Sequence, residues 1–343
     1  MLKEIITFSP KEVTRKLLSG LTDRARDIIK KRYGLEEKDG MTLEAIGGIY
    51  GVTRERVRQI EEFALNSIRK SIMYQEAADN FAELEAVMNE YGGVVHEGEF
   101  LRHIDKNELA QNHIHFLLVL GGVFTKLKED DSFHHRWTTD RAMADRVQES
   151  IRGLCQSLSE NDLLSEKEMV ETFLKKIGDE LSGHKTPERA RRWLEISKDI
   201  GMSPVGEWGL TSSPNVRVRG IRDYAFLILR QHGSPMHFTE VAKAIRDTFG
   251  KKANPATCHN ELIKDGRFVL VGRGIYALAV WGYERGVVRD VITSVLKKSG
   301  PMTEKEVLEK VLKERHVKHN TVLVNLKNPK YFKKDKAGKY LAV

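Results

Sequence analysis

Residues 42–70 read TLEAIGGIYGVTRERVRQIEEFALNSIRK, and their spacing decides the fold of the N-terminal part of the chain. Thr42 stands before Leu43, Ile46 and Ile49 and predicts a short capped helix that turns these three inward. Gly51 predicts a tight turn. Thr53 then caps a second helix running to about Lys70, with Val57, Ile60, Ala64, Leu65 and Ile68 as its inward stripe. The opposite face of that helix collects Arg54, Glu55, Arg58, Gln59 and Glu62. Upstream, Leu21, Ala25, Ile28, Ile29 and Tyr33 keep helical spacing and predict one more amphipathic helix before the polar break EEKDG at 36–40. A short helix, a brief turn and a longer helix with Arg, Glu and Gln in its first turns suit the major groove, where long polar side chains reach base edges. A plain helical hairpin with a solvated charged face has the same periodicity.

The wording of the segment goes further than its periodicity. Roughly residues 20 to 72, and above all VTRERVRQIE at Val52–Glu61, closely resemble region 4 of the primary-type bacterial sigma factors, the part that reads the upstream (-35) promoter element. Position by position, the resemblance implies that Arg54, Glu55 and Gln59 face bases, while Thr53, Arg56 and Arg58 lie toward phosphates. It also implies that Leu43 and Glu44 begin the helix lying across the DNA backbone. Phosphate contacts position a protein on DNA and base contacts specify the sequence.

The 343 residues exceed one ordinary core and predict several domains. With 40% hydrophobic and 31% charged residues the composition is that of a soluble globular protein. No run approaches the roughly 18 apolar residues of a membrane span, and the start MLKEIITFSPKEVTRK has no apolar core of signal-peptide length, so a cytoplasmic protein with no membrane partner is expected. Cys155 and Cys258 lie far apart, which argues against a disulfide framework or a zinc site and for two buried apolar side chains. The net charge of +8 is uneven. Residues 1–75 carry 15 Lys or Arg against 11 Asp or Glu, residues 285–343 carry 15 against 6, and the middle carries 27 against 32. Basic ends around an acidic middle suggest two places that meet phosphate and a centre that meets protein.

The remainder reads as repeats. RDYAFLILRQHGSPMHFTEVAKAI, from Arg222, aligns with RDVITSVLKKSGPMTEKEVLEKVL, from Arg289, a repeat of roughly 66 residues. The pairing sets Pro235-Met236 against Pro301-Met302. Each copy then predicts a further helix and a hairpin, RFVLVGRGIYALA in one and KYFKKDKAGKYLAV in the other. Helix, short extended step, two helices and hairpin are the order of a winged helix. Residues 80–138 and 145–210 fit the same plan less closely, and TSSPNVRVR at 211–219 reads as a linker. The third unit resembles the HARE-HTH family of winged helices, found in restriction systems, in chromatin proteins and in the delta subunit of some bacterial RNA polymerases; this implies association with nucleic acid or polymerase. In the fourth unit Lys333, Lys334 and Lys336 crowd the predicted hairpin and would contact phosphates as a wing, unless the lysines simply solvate a tail.

The fold expected is therefore mainly α: a sigma region 4-like helix-turn-helix over 1–75, winged-helix-like units over 76–140 and 141–215, the latter with its linker, a HARE-HTH-like unit over 216–283 and a basic unit over 284–343. Chemistry is not indicated. In a helix around 113, His113 and His115 point about 200° apart, poor geometry for a shared metal; Gly47-Gly48 lack a phosphate-binding loop's context; no nucleophile elbow occurs; Trp137, Trp193, Trp208 and Trp281 read as core anchors. No catalytic residue, cofactor, metal or small-molecule substrate is expected, and the chain is not read as an enzyme.

The expected function is a sequence-specific DNA-binding transcription factor or RNA polymerase accessory protein whose partners are duplex DNA and the polymerase core. The alternative is the DNA-targeting subunit of a restriction or defence system. About 20 residues precede the sigma-like segment, too few for the helices with which sigma factors bind core enzyme and melt DNA. The chain should not melt promoters alone: core polymerase plus this protein is expected to give no specific transcript from linear duplex, and a specific transcript without another sigma factor would refute that expectation.

Overall fold

The computed structural model describes residues 5–283, 286–315 and 317–343. The protein is mainly helical, with 17 α-helices and four small sheets among the described residues. The chain forms two compact units, Met1–Gly201 and Met202–Val343.

The first unit opens with α1 (Pro10–Leu18) and α2 (Asp23–Tyr33). Helices α3 (Leu43–Tyr50) and α4 (Arg54–Arg69) follow, each capped as the sequence predicts. The Thr42 hydroxyl accepts from the Ala45 N–H at 3.2 Å and the Thr53 hydroxyl from the Arg56 N–H at 3.2 Å. Gly51 closes α3 in the left-handed region, at φ +64°, where glycine has no Cβ penalty. Val57, Ala64 and Ile68 are buried on α4 as expected. Ile49 is not inward: it is 55% exposed. The buried arc of α3 runs through Leu43, Ile46, Gly47 and Tyr50, and at 100° per residue Ile49 falls about 120° from its centre. A short connector, α5 (Ile72–Glu76), ends this part.

A winged helix comes next: α6 (Ala78–Tyr91), β1 (Val94–His96), α7 (Glu97–Ile104), α8 (Glu108–Leu120), β2 (Thr125–Leu127) and β3 (Arg136–Thr138). Its antiparallel sheet has the order β1-β3-β2, with Trp137 between Val95 and Lys126. Helices α9 (Arg141–Ser157), α10 (Glu166–Lys176) and α11 (Pro187–Leu194) complete the unit, and strand β4 (Ile200–Met202) carries the chain out of it.

Helix α8 is the hub. From Leu109 to Leu120 no residue is exposed, the pattern of a helix surrounded by protein. Its Asn112 side chain donates to the carbonyls of Gly34 and Lys38, each at 2.9 Å. Phe116 meets Tyr33 edge-on at 5.0 Å, and the Arg69 guanidinium donates to the carbonyls of Val119 and Leu120 at 2.8 and 3.2 Å. One apolar cluster accordingly runs from Leu17 in α1 through Ala64 and Ile68 in α4 to Phe116 and Trp137.

The second unit holds β5 (Trp208–Leu210) and two successive winged helices. One comprises α12 (Ile221–His232), β6 (Met236–His237), α13 (Phe238–Phe249), α14 (Pro255–Lys264), β7 (Phe268–Gly272) and β8 (Ile275–Leu278), with sheet order β6-β8-β7. The other comprises α15 (Val288–Ser299), α16 (Glu304–Glu314), α17 (His319–Leu326), β9 (Phe332–Lys334) and β10 (Tyr340–Ala342). The repeated Pro-Met step plays one part twice: Met236 pairs with Tyr276 in β8, and Met302 bridges Tyr340 in β10. Residues 211–219 are not a free linker. Ser213 and Asn215 are fully buried, and the Asn215 side-chain oxygen accepts from Arg267 at 2.9 Å. Glu284, where the fourth unit was expected to begin, lies outside the described residues.

The helix-turn-helix depends on one close approach. A Cβ at Gly47 would sit 2.6 Å from the Val52 carbonyl oxygen, whereas a Cβ at Gly48 would meet nothing within 4 Å. Gly47→Ala is therefore expected to cost about 1–3 kcal/mol by overpacking against backbone, and Gly48→Ala to be neutral or stabilising by up to about 1 kcal/mol. Urea unfolding with hydrogen exchange at the amides of α3 and α4 checks this; equal protection in the two variants would refute the tight approach.

Candidate nucleic-acid interface

The outer face of α4 is a dense polar surface. Arg54, Glu55, Arg56, Arg58, Gln59 and Glu62 line it, all of them exposed, while Val57 and Ala64 of the same helix have no accessible surface. Arg58 pairs with Glu55 at 2.8 Å and with Glu62 at 3.1 Å. The Arg58 guanidinium holds the Glu55 carboxyl below the usual range, and Glu55 in turn raises Arg58. Arg56 donates to the Gln59 side-chain oxygen at 3.2 Å. Pairs of this kind on an open helix face are weak, so an incoming phosphate or base edge can replace them.

Thr53 and the start of α3 offer backbone as well as side chain. The Thr53 hydroxyl already accepts from Arg56, and as a hydroxyl it can still donate. Leu43 and Glu44 differ in exposure: Leu43 packs against the cluster of Ile28, Ile46 and Val57, and Glu44 reaches further into solvent. Leu43 could thus reach a phosphate only through its N–H, one of the donors a helix leaves free in its first turn. In the second unit Lys333, Lys334 and Lys336 are exposed on the β9–β10 hairpin.

Behind α4, polar groups fix its orientation in a way the sequence did not reveal. The Tyr33 hydroxyl donates to Glu61 at 2.9 Å, and Arg32 lies 3.5 Å from the same carboxylate. Burial pushes the Tyr33 hydroxyl upward in pKa, and its ring also faces His115, 6.1 Å away. His115 in turn lies 3.6 Å from Glu97, which accepts from Lys126 at 2.6 Å and from the Trp137 indole at 2.7 Å. The run NHIHFLLVL, apolar beyond one helix face, was the sign in the sequence that α8 lies behind α4.

With this geometry the comparisons agree. Residues 17–70 match sigma-70 region 4. The segment is also similar to the RNA polymerase sigma factor SigA of Nostoc sp. (strain PCC 7120 / SAG 25.82 / UTEX 2576), 49% identical over 59 residues. The match takes in 17% of this chain and 15% of that protein's length. Residues 221–281, which hold α12 to β8, match the HARE-HTH family, a helix-turn-helix domain whose description names ASXL and restriction endonuclease. Both matched domains point to DNA binding rather than to catalysis. The region 4 match takes in α2, α3 and α4 together with the caps Thr42 and Thr53.

Among the described residues no group of three or more His, Cys, Asp or Glu could hold a metal ion, and no helix is long and apolar enough to cross a membrane. His113 and His115 diverge: His113 is buried and lowered in pKa chiefly by burial, with Lys11 adding to it, whereas His115 turns toward Glu97. Burial pushes the thiols of Cys155 and Cys258 up to about 11.

His115 makes the platform acid-sensitive. Burial, opposed in part by Glu97, pushes its pKa from 6.5 down to about 4. Because folding depresses the pKa of this base, its contribution to stability is complete above pH 6.5 and is lost as the pH falls toward 4. The full shift corresponds to about 3 kcal/mol at 1.36 kcal/mol per unit, less some screening because 27% of the side chain is exposed. Thermal melts of the chain between pH 7 and 4.5 should show the loss, and His115→Gln should flatten it; an unchanged profile would refute the assignment.

Proposed function

We propose that this protein reads a specific duplex DNA sequence through α4 and acts in transcription as a regulator or accessory subunit of RNA polymerase. The observation that carries the reading is the exposed face Arg54, Glu55, Arg56, Arg58, Gln59 on a helix of the region 4 family. Arg54, Glu55 and Gln59 face base edges; Thr53, Arg56 and Arg58 take phosphates, joined by Leu43 and Glu44 at the start of α3. Lysines 333, 334 and 336 add phosphate contacts elsewhere. The target resembles a promoter's -35 element, and the polymerase core is the protein partner. The working parts are those expected from the sequence, with boundaries at 75/76, 140/141, 215/216 and 283/284.

The family matched at 221–281 favours a second reading, because its description includes a restriction endonuclease. In that reading α4 targets a restriction or defence assembly to DNA. Affinity purification from native lysate separates the two: polymerase core subunits support the first, a nuclease or methyltransferase the second.

Base reading has its own signature. Arg54→Ala, Glu55→Ala and Gln59→Ala should each cost about 1–3 kcal/mol on the selected site and little on scrambled duplex. Arg56→Ala and Arg58→Ala should weaken binding to both duplexes and lower the salt slope by about one unit each. These side chains point away from the Val57, Ala64 and Ile68 stripe, so the fold should survive. Equal losses on both duplexes for the first three would refute base reading.

A further inference from the structure

In a winged helix the third helix is the second element of a helix-turn-helix and the one shaped to enter a groove. In the first unit of this protein that helix, α8, is spent on protein, and the later helix α11 is spent the same way. Helix α8 has no exposed residue from Leu109 to Leu120 and packs against α1 and α2. Helix α11 is tied to the preceding winged helix. Its Arg192 donates to the Tyr91 carbonyl at 2.7 Å and stacks 4.0 Å from the Tyr91 ring, and the Trp193 indole donates to the Gly92 carbonyl at 2.9 Å. Neither α8 nor α11 can lie in a groove without breaking these contacts.

In the last winged helix the same element is open. On α17, Val322 and Leu326 are buried, while His319, Asn320, Thr321 and Val324, together with the flanking caps Lys318 and Lys327, are exposed. The hairpin that follows carries exposed Lys333 and Lys336. Among the described residues none of Lys318, Lys327, Lys333 and Lys336 lies within ion-pair distance of a carboxylate. Asp335, the acid inside the hairpin, is engaged with backbone instead, accepting from the N–H groups of Ala337 and Lys339 at 2.8 and 2.9 Å. Helix α14, its counterpart in the preceding winged helix, is capped by Asn254 and Asp265 where α17 has two lysines.

We infer that residues 286–343 form a second duplex-DNA-binding module, with α17 directed into the major groove and the β9–β10 hairpin on the flanking phosphates, while the winged helix of the first unit and helix α11 serve as scaffold. The partner is double-stranded DNA of any sequence, because the exposed side chains of α17 itself are short or aromatic and the charge lies in the lysines at its two ends, which meet phosphates and not base edges. This rests on the proposal that the protein binds DNA, but not on α4 reading it.

The test uses the full chain. Lys318→Glu/Lys327→Glu and Lys333→Glu/Lys336→Glu are compared with Lys175→Glu/Lys176→Glu, an equal charge change at exposed positions on α10. Affinity for a scrambled duplex is measured by fluorescence anisotropy across a salt series. Each of the first two variants is expected to lower the slope of log K against log salt by about two units, near 0.9 for each phosphate contact, and to weaken binding at least tenfold beyond the control. The ratio of affinity for a selected site over scrambled duplex should stay unchanged, because these lysines meet phosphates and not base edges. On duplex RNA, whose deep narrow groove excludes a helix, the α17 pair should lose its effect while the hairpin pair keeps its own. Losses no larger than the control overturn the inference, whether or not α4 reads sequence. Equal effects of Lys318→Glu/Lys327→Glu on DNA and on duplex RNA overturn the placement of α17 in the groove.

Discussion

Helix α8 has nowhere to be but inside. Its sequence is apolar around most of its circumference, and a helix of that kind must be covered on every side or expose surface that water disfavours. The winged helix to which it belongs covers one flank, through α6, α7 and the sheet. Helices α1 and α2 cover the rest, and the carbonyls left at the end of α2 are met by Asn112 of α8. The helix-turn-helix is consequently not an appendage. Its inner stripe of Ala64 and Ile68 and the winged helix's Phe116 and Trp137 belong to one core, so α4 and the winged helix should gain or lose order together.

The direction of α4 follows from two further constraints. Gly47 lets α3 approach the Val52 carbonyl, which sets where α4 starts. Tyr33 and Arg32 then hold Glu61 midway along α4, leaving the outer face of its first two turns clear of other protein. The polar outer face is thereby presented by packing on the opposite face, and the loosely paired Arg58, Glu55 and Glu62 remain available for exchange with a ligand. A surface of exchangeable ion pairs over a rigid apolar stripe combines a fixed register with side chains that can adapt to base edges.

Much of this was legible in the residues. Thr42, Gly51 and Thr53 mark their helix ends by mechanisms that act within three or four residues, and such local rules survive any tertiary context. The Pro-Met repeats were legible for a similar reason, since the same short strand pairs with the same closing strand in both copies. Ile49 was misread because an eight-residue helix has only two turns, and the spacing of three residues cannot say which side of Leu43 the buried arc extends to. The segment 211–219 was misread because Ser, Pro and Asn mark irregular backbone, not exposure. The burial of Asn215 depends on Arg267, 52 positions away, and no local pattern announces such a partner. The covering of α8 by α1 and α2 is long-range for the same reason.

That covering bears on what several related winged helices in one chain can do. A helix that buries its outward face against a neighbouring module gains apolar burial at every conformation the chain visits, whereas a helix kept open for DNA gains nothing until DNA arrives. The two uses exclude each other because they need the same face. Apolar residues in the outward positions commit a third helix to protein, as in α8. Asparagine and threonine there, with lysine at both ends, as in α17, give a face that is better solvated than buried despite the exposed Val324, and removing its charges from water without a counter-charge would be costly. The choice between scaffold and binder is thus made by a handful of outward positions on one helix per unit, on a backbone that need not change.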